Sequence, residues 1–275
     1  MNHEHWQLDG TAPELYQRYL VPSITSLWAA DLIERAQPKS GDAILDIACG
    51  TGVVARMAAE RIDRGRVVGL DFNSGMLAVA RLQPTTGTAI EWMEGSALNL
   101  PFPDSSFDVV LCQLGLQFFP DRPLALREMK RILAPSGRLA LSVYSAIERT
   151  PGADAFARAL DHCLGPDASK IKRAEHIFPD ANEVRALLSG AGFERVDVST
   201  IAKQIAFPSL LDYVRFQLIA TPMAALLQER SADEREKVIV AVAETARSFL
   251  RPEYLGGASF SFPQESHMAT AHRPG

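Results

Sequence analysis

The stretch Ile44-Leu45-Asp46-Ile47-Ala48-Cys49-Gly50-Thr51-Gly52 decides the fold. It is an apolar run that carries an acid and ends in a glycine turn, and the residues from Val53 to Ile62 have the spacing of a helix. Strand, tight turn and helix together form half of a nucleotide-binding crevice, where glycine lets the backbone approach a ligand that a Cβ would obstruct. Asp46 is out of place for a phosphate loop, because a helix N-terminus attracts anions and a carboxylate there competes with them. A carboxylate suits a ligand with a cationic amine. The next apolar run, Arg66-Val67-Val68-Gly69-Leu70-Asp71, ends in a second acid about 20 residues after the turn, the usual partner of ribose hydroxyls. On its own Asp71 reads equally well as a solvated turn residue before Asn73-Ser74. In register with Asp46 and the glycines it points to a ligand.

An adenosine whose tail ends in an ammonium group is S-adenosyl-L-methionine, with S-adenosyl-L-homocysteine as its product. Four segments in order, ILDIACGTG, VVGLDFNSGML, EGSALNLPFPDSSFDVVLCQLGLQFFPD and EMKRILAPSGRLALSV, resemble the motifs of the class I S-adenosylmethionine-dependent methyltransferases. The group most resembled is that of ubiquinone and menaquinone biosynthesis. The resemblance spans about residues 40 to 145; segments 1–35 and 146–275 resemble the family only in layout.

The resemblance implies a Rossmann-like α/β fold: a seven-stranded, mostly parallel sheet with helices on both faces, an antiparallel last strand, and helical lid insertions. It implies that Asp46, Ala48, Gly50 and Gly52 surround the methionine portion of the cofactor. Asp71 would take the ribose, Phe72 or Met76 would lie against the adenine, and Gly95, Ser96 and Ala97 would edge it. Ser96 departs from the pattern, since many relatives have an acid there; a hydroxyl accepts from the adenine amino group more weakly than a carboxylate. Gln113, at the end of the fourth strand, is expected to face the crevice, against the alternative of a loop residue without a ligand.

Composition sets bounds on function. The chain has 275 residues, 47% hydrophobic and 22% charged, enough for one domain with an elaborated lid. The net charge of −5, without a long basic run, disfavours nucleic acid. The densest basic stretch, Arg127, Lys130, Arg131 and Arg138, reads as an exposed helix face and turn. Cys49, Cys112 and Cys163 are far apart, which suggests reduced thiols and a cytoplasmic setting. The N-terminal ten residues lack the apolar core of a signal peptide, and no apolar run is long enough to span a membrane. No His/Glu cluster has metal spacing, so no metal is expected.

Strand signals near 43–48, 66–71, 89–93, 107–113 and 137–144 alternate with helix signals near 52–62, 74–82 and 121–132. Asp121 is a candidate helix cap, and Ala134-Pro135-Ser136-Gly137 reads as a turn. Further helices are expected near 153–164, 180–190, 208–219 and 232–250, with strands near 193–198, from 258 to 263 and around 267 to 271. The expected division is an N-terminal helical segment (1–35), a cofactor-binding core (36–145), a lid insertion (146–192), a sheet strand (193–207), a second lid insertion (208–257), and a final strand and tail (258–275).

Methyl transfer from a sulfonium is an in-line displacement with a good leaving group, so the protein mostly aligns the reactants and excludes water. A base for the acceptor proton is the one catalytic group expected, and the sequence does not identify it. His162 and His176 fall in the lid and His267 near the last strand, while His3, His5 and His272 fall in the chain ends. A lid histidine as base competes with a plain surface histidine. Phe118 and Phe119 read as helix-packing core in preference to an acceptor pocket. Tyr16, Tyr19 and Trp28 suit either a cover over the cofactor or packing of an amphipathic helix. The apolar lid residues Phe156, Tyr213, Phe216, Leu218, Ile219 and Met223 suggest a small, largely apolar or aromatic acceptor. The same residues could instead drive assembly into a homo-oligomer. The competing functions are a nicotinamide-dependent oxidoreductase, which the turn Gly50-Thr51-Gly52-Val53-Val54-Ala55 only partly suits, and a non-catalytic S-adenosylmethionine-binding protein.

Overall fold

The computed structural model describes residues 12–256 and 259–275. His3 and His5, residue 257 at the end of the expected second lid insertion and residue 258 at the start of the expected tail strand lie outside the described residues. The sheet has seven strands: β1 (Ala43–Ile47), β2 (Arg66–Asp71), β3 (Ile90–Glu94), β4 (Phe107–Gln113), β5 (Leu133–Tyr144), β6 (Glu194–Phe207) and β7 (Phe260–His272). Their order is β3-β2-β1-β4-β5-β7-β6. The first five pair in parallel, and β7 runs antiparallel between β5 and β6. Strand order reverses beside β1, which puts a crevice at the carboxyl ends of β1 and β4.

Among the described residues, ten α-helices surround the sheet: α1 (Ala12–Leu15), α2 (Ser26–Ala36), α3 (Val53–Arg61), α4 (Ser74–Leu82), α5 (Arg122–Ile132), α6 (Pro151–Leu164), α7 (Lys170–Ala174), α8 (Ala181–Gly190), α9 (Leu210–Ala220) and α10 (Ala232–Arg247). A ten-residue π-helical stretch, Tyr16–Thr25, joins α1 to α2 and contains Pro22. Asp121 caps α5 as expected, its carboxylate accepting from the Leu124 N–H. The strands alternate cleanly between two cores. Ile44, Val67, Val109, Leu111 and Ala140 pack under α2, α3, α6, α9 and α10. Leu45, Val68, Val110, Leu139 and Leu141 pack under α5 and α8.

Three elements differ from expectation. The tail is one 13-residue strand, not two pieces, so His272 is its last residue and no loose end. Its residues Ser266 to His272 pair on both sides, whereas Phe260 to Glu265 pair with β6 alone. Pro263 therefore falls where β7 has a single neighbour, the place where a residue without an N–H is tolerated. The sequence Ala134 to Gly137 is an irregularity within β5 instead of a separate turn, with Ser136 left-handed. The short helix α7 was not expected at all.

The lid helices are part of the core. Phe156, Tyr213, Phe216, Leu218 and Met223 are buried within the chain. Tyr213 sits among Phe156, Phe207, Phe260 and Phe262, with ring centroids between 5.1 and 6.0 Å. α9 is buried almost all round, as its lack of a polar face requires. Among the described residues, no helix is long and apolar enough to cross a membrane.

Candidate functional site

A cavity of about 970 Å³ opens at the carboxyl ends of β1, β2 and β4 and runs under the lid. That is near the upper end for a ligand site, roughly 300–1,000 Å³. Its walls at one end come from residues 46–51, 53, 54, 70–73, 76 and 95–98. At the other they come from residues 113–122 and from Tyr144, Lys172, Glu175, Tyr213 and Gln217.

The first end is organised by the two acids. Asp46 is fully buried on β1. Its Oδ2 accepts from the Ala55 N–H at 3.0 Å, which satisfies one of the unpaired amides at the start of α3. Its Oδ1 is buried with no partner. Burial holds the Asp46 carboxyl well above the usual carboxylate range; the Ala55 hydrogen bond opposes this and the nearby Asp71 adds to it. A buried carboxylate oxygen without a donor, lining a cavity, fits a cationic amine.

Asp71 does more than face a ligand. Its Oδ2 accepts from the Gly50 N–H at 2.7 Å and its Oδ1 from the Asn73 N–H at 2.8 Å. It thereby ties the glycine turn to the loop between β2 and α4. Burial raises its pKa, against the three backbone hydrogen bonds. The third of these comes from the Phe72 amide, which leaves the carboxylate one lone pair for a hydroxyl.

The two glycines of the turn have different tasks. Gly50 has φ +55°, and a Cβ there would meet no protein atom within 4 Å, so it would project into open space. Gly52 has φ +85°, and a Cβ there would overlap the Trp92 ring. Gly52 does not line the cavity; it lets the turn pack on β3. Ala48 lines the cavity with φ +56°, an uncommon left-handed conformation for a residue with a Cβ.

The remaining expected residues line the same cavity. Phe72 is 47% exposed, a half-open ring at the cavity wall, and Met76 is buried behind it on α4. Gly95, Ser96 and Ala97 follow β3, and the Ser96 hydroxyl already accepts from the Leu98 N–H at 3.2 Å. Gln113 donates its amide to the Thr25 carbonyl at 3.0 Å, anchoring the π-helical stretch, while its Oε1 is buried without a partner.

Several expectations change. Phe118 and Phe119 are half-buried and both line the cavity, and Phe119 also packs against the core under α5 and α8. Tyr16 lines it too; Tyr19 instead stacks on Phe216 at 4.1 Å, and Trp28 is a core residue that donates to Gln264 at 2.8 Å. Phe216 consequently supports the lid and does not touch the cavity. His176 is no surface residue: it is buried, accepts or donates at Nδ1 with the Ser145 carbonyl, and is absent from the cavity wall. Burial, and then Lys172, pushes its pKa down to about 3, so it is neutral near pH 7. His267 is buried between Thr200 and the Phe178 carbonyl. Among the described residues, no group of three or more His, Cys, Asp or Glu could hold a metal ion.

The polar groups of the second end were missed by the sequence reading. Gln117 is 2% exposed, lines the cavity, and has neither its amide nitrogen nor its oxygen paired. Arg122 at the start of α5 donates to the Gln117 carbonyl at 3.0 Å and has a buried, unpaired Nε. Lys172 and Glu175 form a buried ion pair at 2.6 Å, and Lys172 also donates to Gln217 at 3.2 Å. Glutamine between Leu116 and Phe118, and a lysine and a glutamate three apart within the charged segment Lys170–His176, were the only sequence signals. Neither says which cavity the side chain enters.

The profile of the ubiE/COQ5 methyltransferase family matches residues 18–207. Similar chains include the demethylmenaquinone methyltransferase of Thermus thermophilus, 40% identical over 195 residues, covering 66% of this chain and 87% of the relative. Another is the 2-phytyl-1,4-naphtoquinone methyltransferase of Thermosynechococcus vestitus, 35% identical over 181 residues, covering 62% and 80%. The fold is shared with the YcgJ protein of Bacillus subtilis, with TM-score 0.57, 20% identity, and coverage of 90% and 98%. It is also shared with phosphoethanolamine N-methyltransferase 2 of Haemonchus contortus in complex with S-adenosyl-L-methionine, with TM-score 0.55, 16% identity, and coverage of 90% and 52%.

Proposed function

This chain belongs to the ubiE/COQ5 methyltransferase family, and from that membership we propose that it moves the methyl group of S-adenosyl-L-methionine to a ring carbon of a reduced, naphthoquinone-type acceptor. It is an S-adenosylmethionine-dependent enzyme; the nicotinamide-dependent and non-catalytic alternatives have no support among its relatives. The observation that carries the proposal is the single cavity that joins the two acids to an aromatic and amide-lined lid.

When bound, the cofactor supplies a methyl group activated on a sulfonium. Asp46 Oδ1 accepts the ammonium of its tail, which satisfies the oxygen that has no protein partner. Asp71 would accept from the ribose, Phe72 or Met76 would lie against the adenine, and Gly50 would leave room for the tail. Ala97 and the Ser96 backbone border the base. The second end holds the acceptor: Tyr213, Phe118 and Phe119 flank a flat ring, and Gln117 pairs with its oxygens. A quinone carbon is electron-poor, so the acceptor reacts as the quinol, whose ionised oxygen makes the adjacent ring carbon nucleophilic. Naphthoquinone methylation by the relatives supports this acceptor class. The lid insertions (146–192 and 208–257) keep water from the reactive methyl.

The test is transfer from methyl-deuterated S-adenosylmethionine to a 2-prenyl-1,4-naphthoquinol under reducing conditions. The expected product carries a labelled methyl on the ring carbon beside the prenyl group. Label on oxygen, or no transfer by a protein that binds S-adenosylhomocysteine, rejects the proposed acceptor.

A further inference from the structure

An acceptor that begins as a hydroxyl loses a proton when the new bond forms, and a group in the cavity has to receive it. Among the described residues, three carboxylates line the cavity: Asp46, Asp71 and Glu175. Asp46 and Asp71 are committed to backbone amides of the glycine turn, the loop after β2 and the start of α3. Among the described residues, no histidine lines the cavity. Glu175 alone stands in the lid, just after α7.

Glu175 is 6% exposed and Lys172 5%. A buried ion pair is seldom better than apolar packing for stability, and a five-residue helix has little need of one. Three phenols from three different elements, Tyr16, Tyr144 and Tyr213, line the same cavity as the carboxylate. Burial first, and Glu175 second, raises Tyr144 of β5 and Tyr213 of α9. Burial pushes Tyr16 up to about 12; a hydrogen bond from Thr25 opposes this, and the charges of Asp71 and Glu175 add to it. One phenol is thus within electrostatic reach of the carboxylates at both ends.

We propose that Glu175 is the general base of the methyl transfer, and that Lys172, held by Gln217, is the positioning residue that holds this carboxylate at the cavity wall. The assignment rests on the methyltransferase reading above. In the step, the acceptor O–H bond breaks and its proton goes to a Glu175 oxygen. The electron pair released to the acceptor forms the bond from its ring carbon to the methyl carbon. The methyl–sulfur bond breaks with its pair on sulfur, leaving a neutral thioether. The ring-carbon proton is then lost and an oxygen reprotonated, so one proton is released overall and Glu175 passes it to water.

The experiment compares Glu175→Gln with the double variant Lys172→Met/Glu175→Gln, which carries neither buried charge and is the safeguard if the single variant fails to fold. Both are assayed with S-adenosylmethionine and a 2-prenyl-1,4-naphthoquinol. The expected result is a fall in kcat on the order of 100-fold or more, the scale of a lost general base. S-adenosylhomocysteine affinity should stay within about threefold, a small change against that scale, and the rising acid limb of the wild-type kcat–pH profile should disappear. A folded double variant that binds S-adenosylhomocysteine and keeps the wild-type rate, or keeps the acid limb, overturns the proposal. A wild type inert toward the naphthoquinol rejects the acceptor class instead. The same variants are then compared on the phenol or amine that the wild type does methylate, where an unchanged rate overturns Glu175 as the base.

Discussion

The two ends of the cavity are built by different means. The cofactor end is made of backbone: strand ends, a left-handed turn and two carboxylates that hold loop amides. The acceptor end is made of side chains from β4, β5, α7 and α9, brought together from more than a hundred residues of sequence. Backbone geometry of the first kind leaves a local signature, because a tight turn demands glycine and a strand end demands an apolar run. Side-chain convergence of the second kind leaves none. The contrast predicts that substitutions at the first end act on cofactor affinity and loop order. Those at the second should act on acceptor turnover.

The sharpest contrast is within the turn itself. Gly50→Val should abolish detectable binding of S-adenosylhomocysteine while leaving a folded sheet, through strain at positive φ and through methyl groups in the ligand's space. Gly52→Val should damage the fold, because its side chain overlaps Trp92. Calorimetry and thermal melting of both variants separate ligand space from packing space. Equal loss of binding without loss of stability would erase the distinction.

Phe216→Ala tests whether the lid is separable from the core. Phe216 is buried and stacked on Tyr19, so truncation should cost about 3–5 kcal/mol of stability. A chemical-denaturation midpoint measures this. A variant of normal stability with lost transfer would restore Phe216 to the acceptor wall.

Asp71→Ala should weaken S-adenosylhomocysteine binding by about 1.5–3 kcal/mol, the scale for hydrogen bonds to a charged group. It should also lower the melting temperature, since it frees the amides of Gly50 and Asn73. The sequence reading weighed this acid as a ligand-facing group or a solvated turn residue, and not as a tie between loops. Its position at the end of an apolar strand was legible, but its second task, between two loops, depends on how closely β1 and β2 end together.

The same limit explains the other differences. The parallel strands, their order of appearance and most helices followed from apolar periodicity and glycine turns. Gln113 was placed correctly at a strand end, yet its hydrogen bond to Thr25 requires a neighbour 88 residues away. Gly52 matched a motif but answers to Trp92, 40 residues on. His176 and Glu175 are adjacent in sequence, and only the turn of the chain after α7 puts the carboxylate on the cavity wall and leaves the imidazole off it.

The smallest effect concerns Gln117. Its buried amide has no protein partner, so Gln117→Leu should raise stability by about 1 kcal/mol, the lower range for relieving an unsatisfied buried group. Acceptor KM should rise roughly tenfold, equivalent to about 1.4 kcal/mol, with cofactor affinity unchanged. A stabilised variant with unaltered KM would remove Gln117 from the acceptor end.

Asp46 gives the most direct test of the claim that the turn and its acids hold an amine-bearing cofactor. In the free chain burial raises its pKa, so the carboxyl tends to carry a proton. An ammonium at Oδ1 favours the ionised form, so binding should expel that proton, and affinity should rise with pH up to the free-chain pKa of Asp46. The measurement is calorimetric titration with S-adenosylhomocysteine in two buffers of different ionisation enthalpy, for the wild type and Asp46→Asn, with NAD as the control ligand. The account predicts low-micromolar binding with proton release by the wild type, much weaker binding without proton release by Asp46→Asn, and no binding of NAD. Binding of S-adenosylhomocysteine that is unchanged in Asp46→Asn, or tight binding of NAD in its place, would contradict it.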